Sequence, residues 1–275
     1  MPQTLAPAGY RGAFLLVVVL LVLIEILWHR IRRSEGYDWR ETAASTVIMV
    51  GQGLSRLLTA LIVAPLMLWV QRHRLFDLHL DGWLPILGLF LGIEFLYYWF
   101  HRASHGVRWM WASHSVHHSS TRLNFTAAYR LGWTNLLSGG WLFFVPLVWL
   151  GYTPIAVFGG FAANLTFQFF LHTEMVRRLG PLEWIFNTPA HHRVHHASNP
   201  ELLDRNFGGV LIVFDRVFGT HCDEPRKGQL RYGLAGAAPS NNPFRIALGE
   251  WTKLLHDLQR ARSPQQAWRV AFGRP

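Results

Sequence analysis

At 275 residues, 51% of them hydrophobic and 14% aromatic against 15% charged, the chain is too apolar and too segmented for an ordinary water-soluble domain. Its net charge of +10 comes with no nucleic-acid-binding motif and no glycine-rich phosphate loop, so it fits an anionic lipid surface and no nucleic acid. The single cysteine, Cys222, excludes an internal disulfide and suits a reducing compartment.

Five apolar stretches, residues 12–28, 42–70, 83–100, 135–150 and 154–171, approach the roughly 20 residues a helix needs to cross the hydrocarbon core. The expected fold class is therefore all-α, an integral, multi-pass membrane bundle with a cytoplasmic helical cap. No small-residue cleavage site follows the first stretch. Arg30, Arg32 and Arg33 do, as after a retained anchor. With Arg11 before that stretch and Arg30, Arg32, Arg33 and Arg40 after it, the positive-inside rule places the first connection in the cytoplasm. Arg72 and Arg74 fall on the wrong side of this count. Gln52 and Arg56 are expensive in lipid and should face other helices. The turn Gly151-Tyr152-Thr153-Pro154 predicts a tight helical hairpin between the last two stretches, whether they cross fully or re-enter, because proline suits a helix's first position. Five crossings leave the histidine clusters on the cytoplasmic face.

Ten of the fifteen histidines gather beside these stretches: His101 and His105; His114, His117 and His118; His172; and His191, His192, His195 and His196. Residues three and four apart share a helical face, so His101 with His105, and the members of each His-x-x-His-His triplet, project together. The clusters hold more imidazoles than the three or four protein ligands of one zinc, and neutral nitrogen donors suit iron, copper or zinc. Two metals are the economical reading. His29, His73, His79 and His256 read as bystanders, His191 as orienting a ligand's other ring nitrogen, and His221 as structural rather than ligating. Glu174, Asp204, Asn206 and Asp215 are natural acceptors for ligand N–H groups, and Asn124 and Arg130 are placed to meet a lipid headgroup. After Cys222 the composition turns to Pro, Gly, Arg and Lys. An amphipathic segment over 243–262 then either lies on the membrane surface or packs on the metal domain. The chain divides into N-terminal membrane helices (1–82), a histidine-bearing domain (83–221) and a basic tail (222–275).

The stretches EFLYYWFHRASH (94–105), WASHSVHHSS (111–120), FQFFLHTEMVRRLGPLEWIFNTPAHHRVHH (167–196) and LLDRNFGGVLIVFDRVFGT (202–220) resemble the membrane fatty acid hydroxylase and sterol desaturase superfamily. They look most like its alkylglycerol monooxygenase branch. The resemblance implies a non-haem centre of two iron ions on His101, His105, His114, His117, His118, His192, His195 and His196, with His172 as a further ligand and Gln168 ligating through water. It implies molecular oxygen as co-substrate, a membrane lipid as substrate, and an electron donor of pterin, cytochrome or ferredoxin type. The activity implied is hydroxylation of an alkyl chain, that of an ether lipid in this branch, with sterol or fatty-acyl desaturation as the alternative. The branch uses a tetrahydropterin, and Gly106 departs from its pattern by standing where the animal enzymes carry a glutamate. Two readings outside the family are a metal transporter, which would set its histidines along mid-span, and a haem electron carrier, which would show a Soret band.

Overall fold

The computed structural model describes residues 8–226 and 229–275. Among these residues the secondary structure is helical, apart from the isolated bridges Phe186 with Leu211 and Ala197 with Tyr232. Helix α1 (Ala8–Arg32) leads through a short loop to α2 (Trp39–Arg72), which starts where the Asp38 side chain accepts the backbone N–H groups of Arg40 and Glu41. Helix α3 (Trp83–Gly106) follows. By length and composition α2 and α3 can each cross a membrane. Leu15, Leu16, Leu23 and Leu27 on α1, and Leu54, Leu57, Leu58 and Leu61 on α2, are exposed. Such a continuous apolar exterior belongs in lipid. Gln52 faces inward as expected, but Arg56 lies on the exposed side of α2 rather than against a helix.

Residues 135–150 do not form one spanning helix. The stretch breaks into α5 (Asn135–Ser138), a left-handed Gly139 (φ 74°), a 3-10 turn (Gly140–Phe144) and α6 (Val145–Leu150). Its partner α7 (Pro154–Phe169) has 16 residues, or roughly 24 Å at 1.5 Å per residue. That is shorter than the roughly 30 Å hydrocarbon core, so neither piece alone is long enough to cross as one straight helix. The two pieces make the expected hairpin, with Pro154 at the start of α7 under a Thr153 cap. Gly151 forms the turn at φ 135°, and a Cβ there would sit 2.3 Å from the Phe76 carbonyl oxygen. Only glycine fits that close approach. Val63, Met67, Leu89, Ile93, Phe144, Leu147 and Val157 weld α2, α3 and the hairpin into one core.

Beyond α3 come α4 (Arg108–His118), α8 (Pro189–His195) and α9 (Val213–Val217), then α10 (Pro243–Gln259) and α11 (Pro264–Phe272). The amphipathic segment packs on the metal domain. Trp251 and Leu254 of α10 bury against Ala112 and Trp109 of α4, and Ile246 against Val116 and Ile48. Arg108 pairs with Asp257 at 2.5 Å, and the Trp251 indole donates to Thr134 at 2.7 Å. The tail thus braces the helix that carries the first histidine triplet.

Candidate metal centre

Helix α3 ends with His101 and His105 one turn apart, and after Val107 the chain restarts as α4, which presents His114, His117 and His118. Helix α8, begun by Pro189, delivers His192 and His195, with His196 at its cap. His172 follows α7 and lies on none of these helices. The fold sorts the nine imidazoles into two adjoining sets. His101, His105, His114, His118 and His195 form one, and His117, His172, His192 and His196 the other; within each, one nitrogen per residue lies within 4.8 Å of all the others.

The hydrogen bonds at the far side of the rings fix the chemistry. A carbonyl oxygen only accepts, so each ring nitrogen facing one must carry the proton. Nδ1–H of His101 donates to Phe207 O (2.9 Å), that of His117 to Arg130 O (3.2 Å), that of His172 to Gln168 O (2.8 Å) and that of His195 to Arg205 O (2.9 Å). Burial, followed by neighbouring imidazoles, pushes His114, His118, His192 and His196 well below the ordinary histidine range, and burial holds His117 at about 4. A neutral imidazole protonated on Nδ1 has only a lone pair on Nε2. Yet Nε2 of His117 and of His172, both so committed, face each other at 3.3 Å, and buried Nε2 of His195 has no partner. Two acceptors at that distance repel. A cation between them turns the repulsion into ligation, so the residues fit metals in both sets.

Among the expected orienting groups, Asp204 alone reaches a clustered imidazole with its side chain, 3.4 Å from His105 Nδ1. Asp204 and Asn206 adopt positive φ (58° and 56°), a strained stretch that aims the Asp204 carboxylate and the Arg205 carbonyl at the centre. Asp215 acts one step back. It accepts from Phe207 N, Gly208 N and Thr220 Oγ1, holding the loop whose Phe207 carbonyl takes His101. Asn206 braces the backbone of His191 and Cys222, and Glu174 sits by Arg193 and Tyr232. Gln168 serves His172 through its carbonyl, while its side chain bonds Tyr97 and Asn164. His191 faces His221 instead of orienting one of the nine. Arg130 and Asn124 are buried rather than exposed to a headgroup. Arg130 pairs with Glu41 and bonds Ser45 and Ser119, and Asn124 donates to Gly36 O.

Two acids in apolar helices complete the surroundings. Glu94 accepts from Val210 N, Leu211 N and Asn164, and Asn164 in turn accepts from Gln168. Glu25 of α1 accepts from Tyr37, Phe125 N and Thr173, the neighbour of His172. An acid inside an apolar run is the signal that marks both, because lipid or core tolerates it only with partners.

A helical, apolar chain with two converging sets of neutral imidazoles defines the class of histidine-rich membrane proteins with a metal site. The family model for fatty acid hydroxylase matches residues 86–220. Alkylglycerol monooxygenase of Xenopus tropicalis is 41% identical over 182 residues, 65% of this chain and 39% of that protein. The human alkylglycerol monooxygenase is 40% identical over 176 residues (64% and 39%), and that of Danio rerio 45% over 145 residues (53% and 32%). The chain therefore spans about two fifths or less of the length of these relatives. No solved structure matches it. Over residues 86–220 the chain is similar to the fatty acid hydroxylase family, and its relatives there include alkylglycerol monooxygenases.

Proposed function

We propose that the chain is an oxygen-dependent di-iron monooxygenase that hydroxylates the alkyl chain of an ether lipid. The observation that carries this reading is the pairing of His117 and His172 with both Nδ1–H groups committed to carbonyls and both lone pairs facing inward. In this reading His101, His105, His114, His118 and His195 hold one ion, and His117, His172, His192 and His196 the other. When bound, the iron pair supplies the activation of molecular oxygen that oxidising an unactivated C–H bond needs and no side chain offers. The protein's part is to position and to exclude water. Tyr97, Phe207 and Trp111 lie with ring centres 5.1–5.3 Å from His101 or His105 and shield them. The carbonyls of Phe207, Arg130, Gln168 and Arg205 keep the rings in one tautomer and orientation. The names of the relatives favour hydroxylation over desaturation. The test is to feed a 1-O-alkylglycerol under ¹⁸O₂ to cells with and without the chain. One added ¹⁸O on the lipid is expected, absent with His117→Ala. A product lacking two hydrogens, or no product, overturns the reading.

The arginines after α1 favour a cytoplasmic first connection, so α2 runs outward and α3 inward, delivering His101 to the cytoplasmic face. A hairpin that returns to its own side leaves this assignment unchanged whether or not it crosses. We read the electron donor, of reduced pterin, cytochrome or ferredoxin type, as docking on that face. Cys222 is the built-in probe. In intact cells a membrane-impermeant maleimide should leave it unlabelled and should label it after permeabilisation, whereas labelling of intact cells would place the centre outside.

A further inference from the structure

A third group of metal-ligating side chains stands apart from the nine histidines. His191, His221 and Asp223 bring one donor atom each within 4.8 Å of one another. His191 is adjacent to His192 in the chain but points elsewhere, since successive residues on a helix are turned by about 100°. Its ring is 1% exposed, and its Nε2 is buried without a hydrogen-bond partner. Across from it, 5.3 Å between centres and at 74°, stands the ring of His221, whose Nε2 is likewise buried and unpartnered. Asp223 Oδ1 lies 3.5 Å from that nitrogen, near enough for a charge interaction yet making no hydrogen bond. A buried imidazole nitrogen aimed at a second imidazole and a carboxylate, with nothing to bond, costs free energy unless a ligand fills the gap.

The backbone around the gap is fixed. Asn206 donates to the carbonyls of both His191 (3.0 Å) and Cys222 (2.7 Å) and accepts Cys222 N–H (2.8 Å). It thereby staples the segment bearing His221 and Asp223 to α8. One group opposes a cation. Arg216 is close to both imidazoles, but its guanidinium is drawn over the Trp184 ring (4.6 Å) and donates to Glu183 O (3.1 Å). The carboxylates of Asp223 and Glu183 set two negative charges against it.

We propose that His191 Nε2, His221 Nε2 and the Asp223 carboxylate form a third, mononuclear metal site that takes a divalent first-row ion. Two neutral nitrogens and one carboxylate suit zinc, cobalt or iron, and Asp223, 65% exposed, leaves the remaining positions to water. Bound there, the ion clips the loop after Thr220 to the helix that supplies His192 and His195. The site stands on its own residues and does not depend on what the nine histidines hold.

The experiment uses the full chain in detergent, stripped with a chelator, reloaded with zinc, freed of excess by gel filtration and analysed for metal and protein. Wild type is expected to hold about one zinc per chain more than either His221→Ala or Asp223→Ala, while His256→Ala matches wild type. The difference is read whether the main centre retains two ions or none, so failure of the di-iron reading would be seen separately. The elution volume reports whether each variant stays folded, and His191→Asn gives an independent third comparison. Equal zinc in wild type and in the folded His221 and Asp223 variants overturns the site and leaves His191 as a buried group with an unmet hydrogen bond.

Discussion

Replacing His172 with alanine is expected to remove about one bound metal per chain and to lower lipid oxidation at least about 100-fold, more than the 10–100-fold typical of losing a residue behind the ligands. The other members of its set come from α4 and α8, so His172 is the donor that ties the loop after α7 to them. Its loss leaves His117 Nε2 and His192 Nε2 without the partner that faces each at 3.3 and 3.0 Å. Membrane insertion should be unchanged, because it depends on the apolar helices. Exposed His256 serves as the control and should be silent when replaced by alanine. Metal analysis and turnover on the same preparation decide the matter. A His172→Ala protein with wild-type metal content would remove the residue from the centre.

The largest loss of stability is expected from Arg130→Ala. This side chain is 0% exposed, lies 3.6 Å from the Glu41 carboxylate, and donates to Ser45 (2.9 Å), Ser119 (3.0 Å) and the Glu41 carbonyl (3.4 Å). Truncation leaves the buried Glu41 carboxylate with hydrogen bonds from Thr121 and Ser120 but no opposite charge, a loss of up to about 3–5 kcal/mol. The effect reaches the centre, because the Arg130 carbonyl holds His117. Denaturant unfolding in detergent should show the loss. The double variant with Glu41→Gln should lose less than the sum of the two single changes, as for any coupled pair. A single-variant loss under about 1 kcal/mol, or strict additivity, would mean that the pair does not hold the α2 to α4 region together.

Spacing made the helical faces legible. His101 with His105, and the two triplets, are neighbours by the period of the helix alone, and the fold brings them together. His172 carries no such spacing, and its place came from the resemblance of the FLHTE stretch. The groups that orient the rings could not be read, because most are backbone carbonyls. A carbonyl has no letter, and only the path of the chain at Arg130, Gln168, Arg205 and Phe207 brings it to a ring nitrogen. Asp204, expected as an acceptor, does reach one ring, whereas Asp215 and Asn206 spend their side chains on the loop backbone. The broken stretch at 135–150 misled for another reason. Its composition is apolar throughout, but Gly139 and Gly140 end the helix locally, and Phe144 and Leu147 bury against α3 rather than lipid. Arg130 misled similarly, since a charge near an interface is as readily satisfied by a buried glutamate two helices away.

Lining this centre with imidazoles rather than acids also settles its electrical character. Soluble di-iron bundles surround their metals with carboxylates that cancel most of the ionic charge. Beside apolar helices, a nest of four or more carboxylates would be costly to keep ionised before metal arrived, and would partly neutralise itself by taking up protons. The nine lone pairs here create a negative potential without a net charge, so the empty pocket bears no such cost. Once filled, it would keep nearly all the positive charge of what it holds, with the Asp204 carboxylate 3.4 Å from His105 at its edge. That places an electron-poor spot at the boundary of an oily fold, where a neutral gas and a hydrocarbon chain can both arrive without shedding much water.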